Sequence, residues 1–263
     1  TSVCDDAGTE CWDVYSLRAV LVSSSVRPCL DQEIVGPKTG EATKFPVLFE
    51  RVVMAYGQRV SIITVDAGIT SAENAKLVKK HEKDYVFAVK GNQPALFEYA
   101  QRVLLGTPDL AKTRERAQGM DVSRTLRCVA VGPEARFPHA TEVWSVMRLA
   151  TGTRKGEDIS ELETRYFVTS ILPGTLTAEE KLALVRLHWG IENGSNWTAD
   201  VVLKEDTRCP VKKGNGALVV SWLNMIALLL LGILRALQQK SPNGPPVSWK
   251  STMMHFVVVV LVV

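Results

Sequence analysis

The sequence has few of the patterns that mark metal-binding or nucleophilic sites. Its five cysteines include no Cys-x-x-Cys pair, which argues against a zinc ribbon or a thioredoxin-like site. They are odd in number and scattered along 263 residues, so we expect free thiols in a reducing compartment rather than a disulfide framework. The four histidines lack metal-ligand spacing, and neither a Gly-x-Ser-x-Gly nor a P-loop pattern occurs.

The chain also has little net charge. Its 31 basic and 28 acidic side chains leave a formal charge of +3, which is too weak to indicate nucleic-acid binding by itself. Any contact with DNA must therefore come from local clusters of basic residues. The 46% of hydrophobic and 22% of charged residues are ordinary for a globular protein and exclude wholesale disorder. Residues 1–14 are polar and acidic, unlike a secretory signal.

Two apolar runs raise the question of a membrane. The run at residues 217–234 is long enough to span a bilayer, but it includes the polar residues Ser221 and Asn224. We interpret this run as a buried core helix, because interior helices can be apolar all round. The run at 256–263 is too short to span. A membrane-associated protein that uses both runs remains the alternative.

A strand–helix–strand pattern lies in the first half of the chain. Residues 60–65 and 84–89 are nearly continuous apolar runs, typical of strands that are buried on both faces. The segment between them has helical spacing, so the pattern predicts a βαβ unit with two parallel strands. Ligands bind at the carboxyl ends of such strands. Asp66 and Lys90, which follow the two strands, are therefore predicted to lie on the same functional edge of the sheet.

Other segments complete a coarse assignment. Capping-box spacing at Thr70–Glu73 and at Thr177–Glu180 predicts the start of two helices. The region 122–172 reads as a β-rich insertion. The remaining predicted elements are strands at 15–22, 27–35, 123–131, 142–150 and 165–171, and helices at 42–57, 94–105 and 217–238.

Three motifs in a fixed order carry a resemblance to a known family. They are Thr64-Val-Asp-Ala-Gly68, Asp84-Tyr-Val-Phe-Ala-Val-Lys-Gly-Asn-Gln93 and His188-Trp-Gly-Ile-Glu-Asn193. With them, the sequence from about Tyr15 to about Arg235 resembles insertion-sequence transposases of the H-repeat-associated type. The resemblance implies an α/β fold with an RNase H-like mixed sheet and flanking helices, interrupted by a β-rich insertion. It also implies an Asp-Asp-Glu metal site.

The resemblance assigns roles to individual residues. Asp66 matches the family's second aspartate and Glu192 its glutamate, so both are the expected catalytic and metal-binding residues, with Mg²⁺ as cofactor and Mn²⁺ as substitute. Two such ions would serve phosphoryl transfer, that is, DNA strand cleavage and strand transfer. The interpretation of the Lys90-x-Asn92-Gln93 turn stays open between DNA contact, active-site positioning and a plain turn. The expected DNA-binding residues are Lys90, Asn92, Gln93, Arg186, His188, Lys204, Lys212 and Lys213.

The sequence departs from the family at its N-terminus. The family's first aspartate lies in an Asp-Gly-Lys motif, which residues 1–14 lack, so we expect the first catalytic aspartate to be missing. The expected organisation is a remnant at 1–14, a transposase domain at 15–238 and a tail at 239–263. The leading hypothesis is a DNA transposase domain that acts on double-stranded insertion-sequence ends as a homodimer, in the cytoplasm at the nucleoid and without a membrane. The alternative is an inactive remnant that still binds DNA or self-associates.

Overall fold

The computed structural model describes residues 2–4, 11–13, 15–24, 26–35, 40–117, 119–154, 157–190 and 216–238. These residues form two compact units, one of Thr1–Met54 with Leu187–Val263 and the other of Ala55–Arg186. The described strands are β1 Ser2–Cys4, β2 Cys11–Asp13, β3 Tyr15–Val20, β4 Cys29–Val35, β5 Ile62–Val65, β6 Asp84–Val89, β7 Ala111–Ala117, β8 Met120–Ala130, β9 Glu142–Arg154 and β10 Glu157–Thr169. The described helices are α1 Glu41–Tyr56, α2 Ala72–Lys80, α3 Pro94–Leu104, α4 Ala178–Gly190 and α5 Gly216–Gln238.

The second unit is built on a six-stranded mixed sheet. The strand order is β5-β6-β10-β9-β8-β7. β5 and β6 are parallel, as the βαβ pattern predicts, whereas the other neighbours are antiparallel. The mixed sheet and its flanking helices confirm the predicted α/β, RNase H-like fold class. The bounds predicted for the domain and its tail stay predictions.

The β-rich region is a meander of four strands rather than three. β9 and β10 extend well beyond the predicted 142–150 and 165–171, and they form one long antiparallel hairpin. β7, which the sequence pattern did not predict, forms the edge of the sheet against β8. Gly119 lies at the turn between these two strands with φ +81°, a conformation that glycine adopts without steric strain.

Large side chains fill the core of this sheet. Tyr85 and Phe87 on β6 are fully buried with ring centroids 4.6 Å apart. Trp144 on β9 and Phe167 on β10 occupy register-paired positions on neighbouring strands and are also fully buried. The Tyr85 hydroxyl donates to the Pro138 carbonyl at 2.6 Å, so its polar end is satisfied. Burial of these aromatic side chains stabilises the packing of β6, β9 and β10 in the unit.

The helix starts were only partly predictable. Thr177 and Glu180 form the predicted capping box, since each backbone N–H donates to the other's side chain. The box predicted at Thr70–Glu73 is wrong. α2 instead takes Ser71 as its N-cap, whose hydroxyl accepts from the Asn74 N–H at 3.1 Å. The Thr70 hydroxyl is used elsewhere, because it donates to a carbonyl of β6.

The first unit contains two antiparallel strand pairs, β1–β2 and β3–β4, together with most of α1 and all of α5. Arg51 on α1 joins the helix to β4. Its guanidinium contacts Asp31 at 2.7 Å and Glu33 at 2.8 Å. Lys44 adds a second cation 3.1 Å from Glu33. The hydrogen bond from Arg51, followed by the contact with Lys44, outweighs burial and lowers the pKa of Glu33 below its ordinary value.

α5 differs from its predicted environment. Ser221 donates to the Gln32 side chain at 3.0 Å, and the backbone at Gly232 packs against Val26, so one side of the helix packs on β4 and on the segment before it. The predicted burial on all sides is not observed, because the described residues leave Val219, Leu223 and other large apolar side chains exposed. Residues Val219–Gln238 are long and apolar enough to cross a membrane by length and composition, a test that the core helix of a soluble protein also passes.

Candidate functional site

Asp66 lies directly after β5, at the carboxyl end of the strand. Its backbone carbonyl accepts from the Ile69 N–H at 3.0 Å, which closes a tight turn. Its side chain is 50% exposed. The turn therefore uses the backbone of Asp66 and leaves the carboxylate facing solvent, as a ligand for a metal ion would require.

Lys90 lies directly after β6 and faces Asp66. Parallel pairing places Val65 opposite Phe87, so the two strands end at the same edge of the sheet. The Lys90 ammonium lies 3.5 Å from the Asp66 carboxylate and is 56% exposed. The predicted placement of both residues on one edge is confirmed. An ion pair this exposed contributes little stability, so both charges remain available to a ligand.

The turn after β6 holds the turn after β5 through two side-chain amides. Asn92 Nδ2 donates to the Ala67 carbonyl at 2.8 Å. Gln93 Nε2 donates to the Thr70 carbonyl. Both acceptors belong to the segment that follows Asp66. The two amides therefore join the turn after β6 to the segment that follows Asp66, and the role of this turn stays a prediction.

Two buried side chains, which the sequence pattern did not single out for this site, also form hydrogen bonds in the segment that follows Asp66. The Thr70 hydroxyl donates to the Ala88 carbonyl on β6 at 2.8 Å and is buried. Asn74 on α2 is also buried, and its Nδ2 donates to the Ile69 carbonyl at 2.7 Å. Asn74 lies on the apolar face of a short helix, and a polar residue at such a position indicates a buried hydrogen bond. The Asp66 turn is therefore fixed by hydrogen bonds to β6 and α2.

The other predicted site residues fall into two groups. Arg186 on α4 contacts Glu115 on β7 at 2.5 Å, and His188 is buried at 7% exposure. Their predicted contact with DNA stays a prediction, and for His188 it would require exposure of the ring. Glu192, Lys204, Lys212 and Lys213 lie outside the described residues.

Comparison with known proteins identifies the family. A family model described as "Transposase DDE domain" matches residues 13–230. The chain belongs to this family. The protein of Escherichia coli strain K12 named "Putative protein YbfL" is 30% identical over 206 residues, which cover 74% of this chain and 52% of that protein. The "H repeat-associated putative transposase YhhI" of the same strain is 29% identical over the same shares. The chain thus spans about half the length of these curated relatives.

The carboxylates of the described residues do not complete a metal site for this transposase domain. No group of three histidine, cysteine, aspartate or glutamate side chains that could hold a metal ion occurs in the part of the chain that the structure describes. Asp66 fits one ligand position, because its carboxylate is exposed and offers oxygen donors. Glu192, the other metal ligand predicted from the sequence, lies outside the described residues.

A buried ionic cluster attaches α4, which precedes Glu192 in the sequence, to the sheet. Lys181 Nζ lies 2.7 Å from Glu142 Oε2 on β9, and both side chains are less than 10% exposed. The same carboxylate oxygen accepts from Trp144 Nε1 at 2.8 Å. The ammonium also lies 5.4 Å from the Trp144 ring centroid, within cation–π range. α4 is therefore held to β9 at one defined position along its length.

Cys128 on β8 borders this cluster. Lys181 Nζ lies 3.5 Å from its Sγ. Burial, together with the negative charge of Glu142, raises the pKa of the Cys128 thiol to about 11. Within the part of the chain that the structure describes, neither Cys128 nor Cys29 forms a disulfide, and the prediction of a chain without a disulfide framework stays a prediction. The raised pKa keeps Cys128 protonated at neutral pH, so it is a packing residue rather than a nucleophile.

Proposed function

We propose that this chain is the catalytic region of a DNA transposase that cleaves and joins strands at insertion-sequence ends with the help of Mg²⁺. Membership of the transposase family supports DNA as the substrate. The observation that carries the site is the exposed Asp66 carboxylate on a rigid turn, 3.5 Å from the Lys90 ammonium. Both groups follow adjacent parallel strands, where α/β proteins bind their ligands.

In this proposal Asp66 and Glu192 hold divalent metal, and Mn²⁺ can replace Mg²⁺. When bound, such ions activate a hydroxyl and stabilise the leaving oxygen of a phosphodiester. Lys90 supplies a cation for a phosphate next to Asp66. Asn92 and Gln93 keep the Asp66 turn in place through Ala67 and Thr70. Asn92 and Gln93 are therefore proposed to act as positioning residues, whereas Lys90 is proposed to contact DNA.

The proposal extends to partners beyond the described site. Arg186, His188, Lys204, Lys212 and Lys213 remain the sequence-based candidates for contact with double-stranded DNA. We further propose that the protein acts as a homodimer on paired ends, at the nucleoid in the cytoplasm.

Calorimetric titration with Mn²⁺ tests the metal site. We expect Asp66→Asn and Glu192→Gln each to weaken binding tenfold or more, which corresponds to about 1.4 kcal/mol. Asp121→Asn is the matched control, because Asp121 is an exposed carboxylate on β8, away from the Asp66 turn. The Asp66 side chain has one described partner, Lys90, so the substitution leaves the backbone turn intact. Unchanged binding in both variants, or no binding by the parent chain, would overturn the assigned site.

A further inference from the structure

The edge strand β7 has two chemically different faces. Along Ala-Lys-Thr-Arg-Glu-Arg-Ala, exposed and half-buried positions alternate without a break. The exposed positions are Lys112, Arg114 and Arg116. The half-buried positions between them include Thr113 and Glu115. We call the three exposed cations the β7 basic stripe.

The one acidic residue of β7, Glu115, forms its ion pairs on the opposite face of the strand. Glu115 contacts Arg124 on β8 at 2.6 Å and Arg186 on α4 at 2.5 Å. Burial acts to raise the pKa of Glu115, but the hydrogen bonds and charges of these two arginines outweigh it, so the pKa lies below its ordinary value. Glu115 is therefore charged and held away from the basic stripe. It does not compensate the three cations.

The basic stripe also lacks ion-pair partners on its own face among the described residues. In the register with β8, Lys112 lies opposite Thr125, Arg114 opposite Ser123 and Arg116 opposite Asp121. No ion pair within 4.0 Å joins any of the three cations to another described residue. The remainder of the sheet behaves differently. Arginines with a carboxylate 2.6–3.4 Å away are Arg124, Arg127, Arg148 and Arg165.

The spacing of the stripe is regular because it follows the strand. Alternate residues of an antiparallel strand lie about 6.8 Å apart, so the three cations form a straight row about 14 Å long. Charged side chains on an edge strand also discourage pairing with a second sheet. In addition, three exposed cations that lack an ion-pair partner among the described residues create a local positive potential in a chain whose net charge is only +3.

We propose that the β7 basic stripe contacts the phosphate backbone of double-stranded DNA. The proposal rests on the proposed function for its partner and on Lys112, Arg114 and Arg116 for its location. These contacts are independent of base sequence, because phosphates carry no sequence information. They lie on β7, at the edge of the six-stranded sheet opposite to β5, the strand that precedes Asp66. The stripe holds the duplex without touching the reacting phosphate.

The salt dependence of DNA binding tests the stripe. The probe is a fluorescent 30-base-pair duplex of arbitrary sequence, titrated by anisotropy between 50 and 200 mM KCl. The test variant is Lys112→Gln with Arg114→Gln and Arg116→Gln. Loss of three phosphate contacts should reduce the slope of log K against log salt by about 2.7. Between 50 and 200 mM KCl, the factor by which the affinity falls should therefore be about 40-fold smaller for the variant than for the parent chain.

A second triple variant provides the control. Arg59→Gln with Lys76→Gln and Lys80→Gln removes three exposed cations from other parts of the same unit. Both variants lower the formal net charge from +3 to 0, so a difference between them reports position rather than total charge. The control is expected to keep the parent slope. Circular dichroism on heating should give all three proteins the same melting temperature.

The outcomes separate the stripe from the proposed function. A parent chain that binds the duplex while both variants share its slope overturns the stripe and leaves the transposase proposal standing. Equal losses in the two variants also overturn it, since total charge would then explain the effect. A parent chain that does not bind DNA even at 50 mM KCl overturns both. If sedimentation shows that only the stripe variant changes its self-association, with an unchanged slope, β7 is instead a contact between copies of the chain.

Discussion

Replacement of Lys181 by methionine would leave the buried carboxylate of Glu142 without its cation. Methionine fills most of the space of the lysine stem, so the change removes charge with little loss of packing. Breaking a buried ion pair from one side costs about 3–5 kcal/mol. Trp144 Nε1 still donates to Glu142, so we expect a loss near 3 kcal/mol in the free energy of unfolding.

The double variant Lys181→Met with Glu142→Gln tests the cause of that loss. Glutamine removes the unpaired charge and keeps a carbonyl oxygen for the Trp144 indole. We expect the double variant to be more stable than Lys181→Met alone and to lie about 1–2 kcal/mol below the parent chain, because a buried amide remains incompletely satisfied. Such behaviour identifies the uncompensated carboxylate as the source of the loss.

Urea unfolding at pH 7, followed by far-UV circular dichroism, measures these differences. Arg148→Met is the control, because Arg148 and Glu161 form a more exposed pair at 3.4 Å and the expected loss is at most about 1 kcal/mol. The reasoning is refuted if Lys181→Met is as stable as this control. Glu142→Gln is also measured alone, and the reasoning is refuted if its loss and that of Lys181→Met simply add in the double variant.

Three further predictions address the turn, the thiol and the acid response. Asn92→Ala should weaken Mn²⁺ binding while lowering stability by only about 1 kcal/mol, checked by calorimetry and urea unfolding; unchanged Mn²⁺ affinity would contradict a positioning role. Cys128 should react with iodoacetamide at pH 8 about 100-fold more slowly than an ordinary thiol, by mass spectrometry, since its pKa is about 11 rather than 9.0. Glu33 has a lowered pKa, so its stabilisation is present above about pH 4.5 and is lost as pH falls through the folded value; the stability difference between the parent chain and Glu33→Gln should therefore shrink below pH 4.5.

The sequence was informative where continuous apolar runs mark strands that are buried on both faces. The buried runs at 60–65 and 84–89 predicted β5, β6 and their parallel pairing, and with them the meeting of Asp66 and Lys90. Each inference followed from local pattern and from the geometry of a βαβ unit. The sequence therefore predicted the edge of the sheet on which the candidate site lies.

Strands without an apolar pattern could not be predicted from the sequence in this way. β7 alternates half-buried polar positions with exposed cations, so a search for apolar periodicity finds no strand there. The polar part of the hairpin between β9 and β10 also lacks apolar periodicity, so the sequence pattern did not predict the full length of these two strands. The contact between Lys181 and Glu142 joins positions 39 residues apart, and residue spacing carries no signal for such a pair.

The pairing of β6 with β10 has a consequence for how the chain tolerates insertions and deletions. Tyr85 on β6 and Ser170, just after β10, are hydrogen-bonded although they lie 85 residues apart. The closure entropy of a loop grows only with the logarithm of its length, so doubling this span would cost about 0.6 kcal/mol. The hairpin ends of the meander can therefore lengthen or shorten between relatives at little thermodynamic cost, provided that β10 still pairs with β6 beside the Asp66 edge.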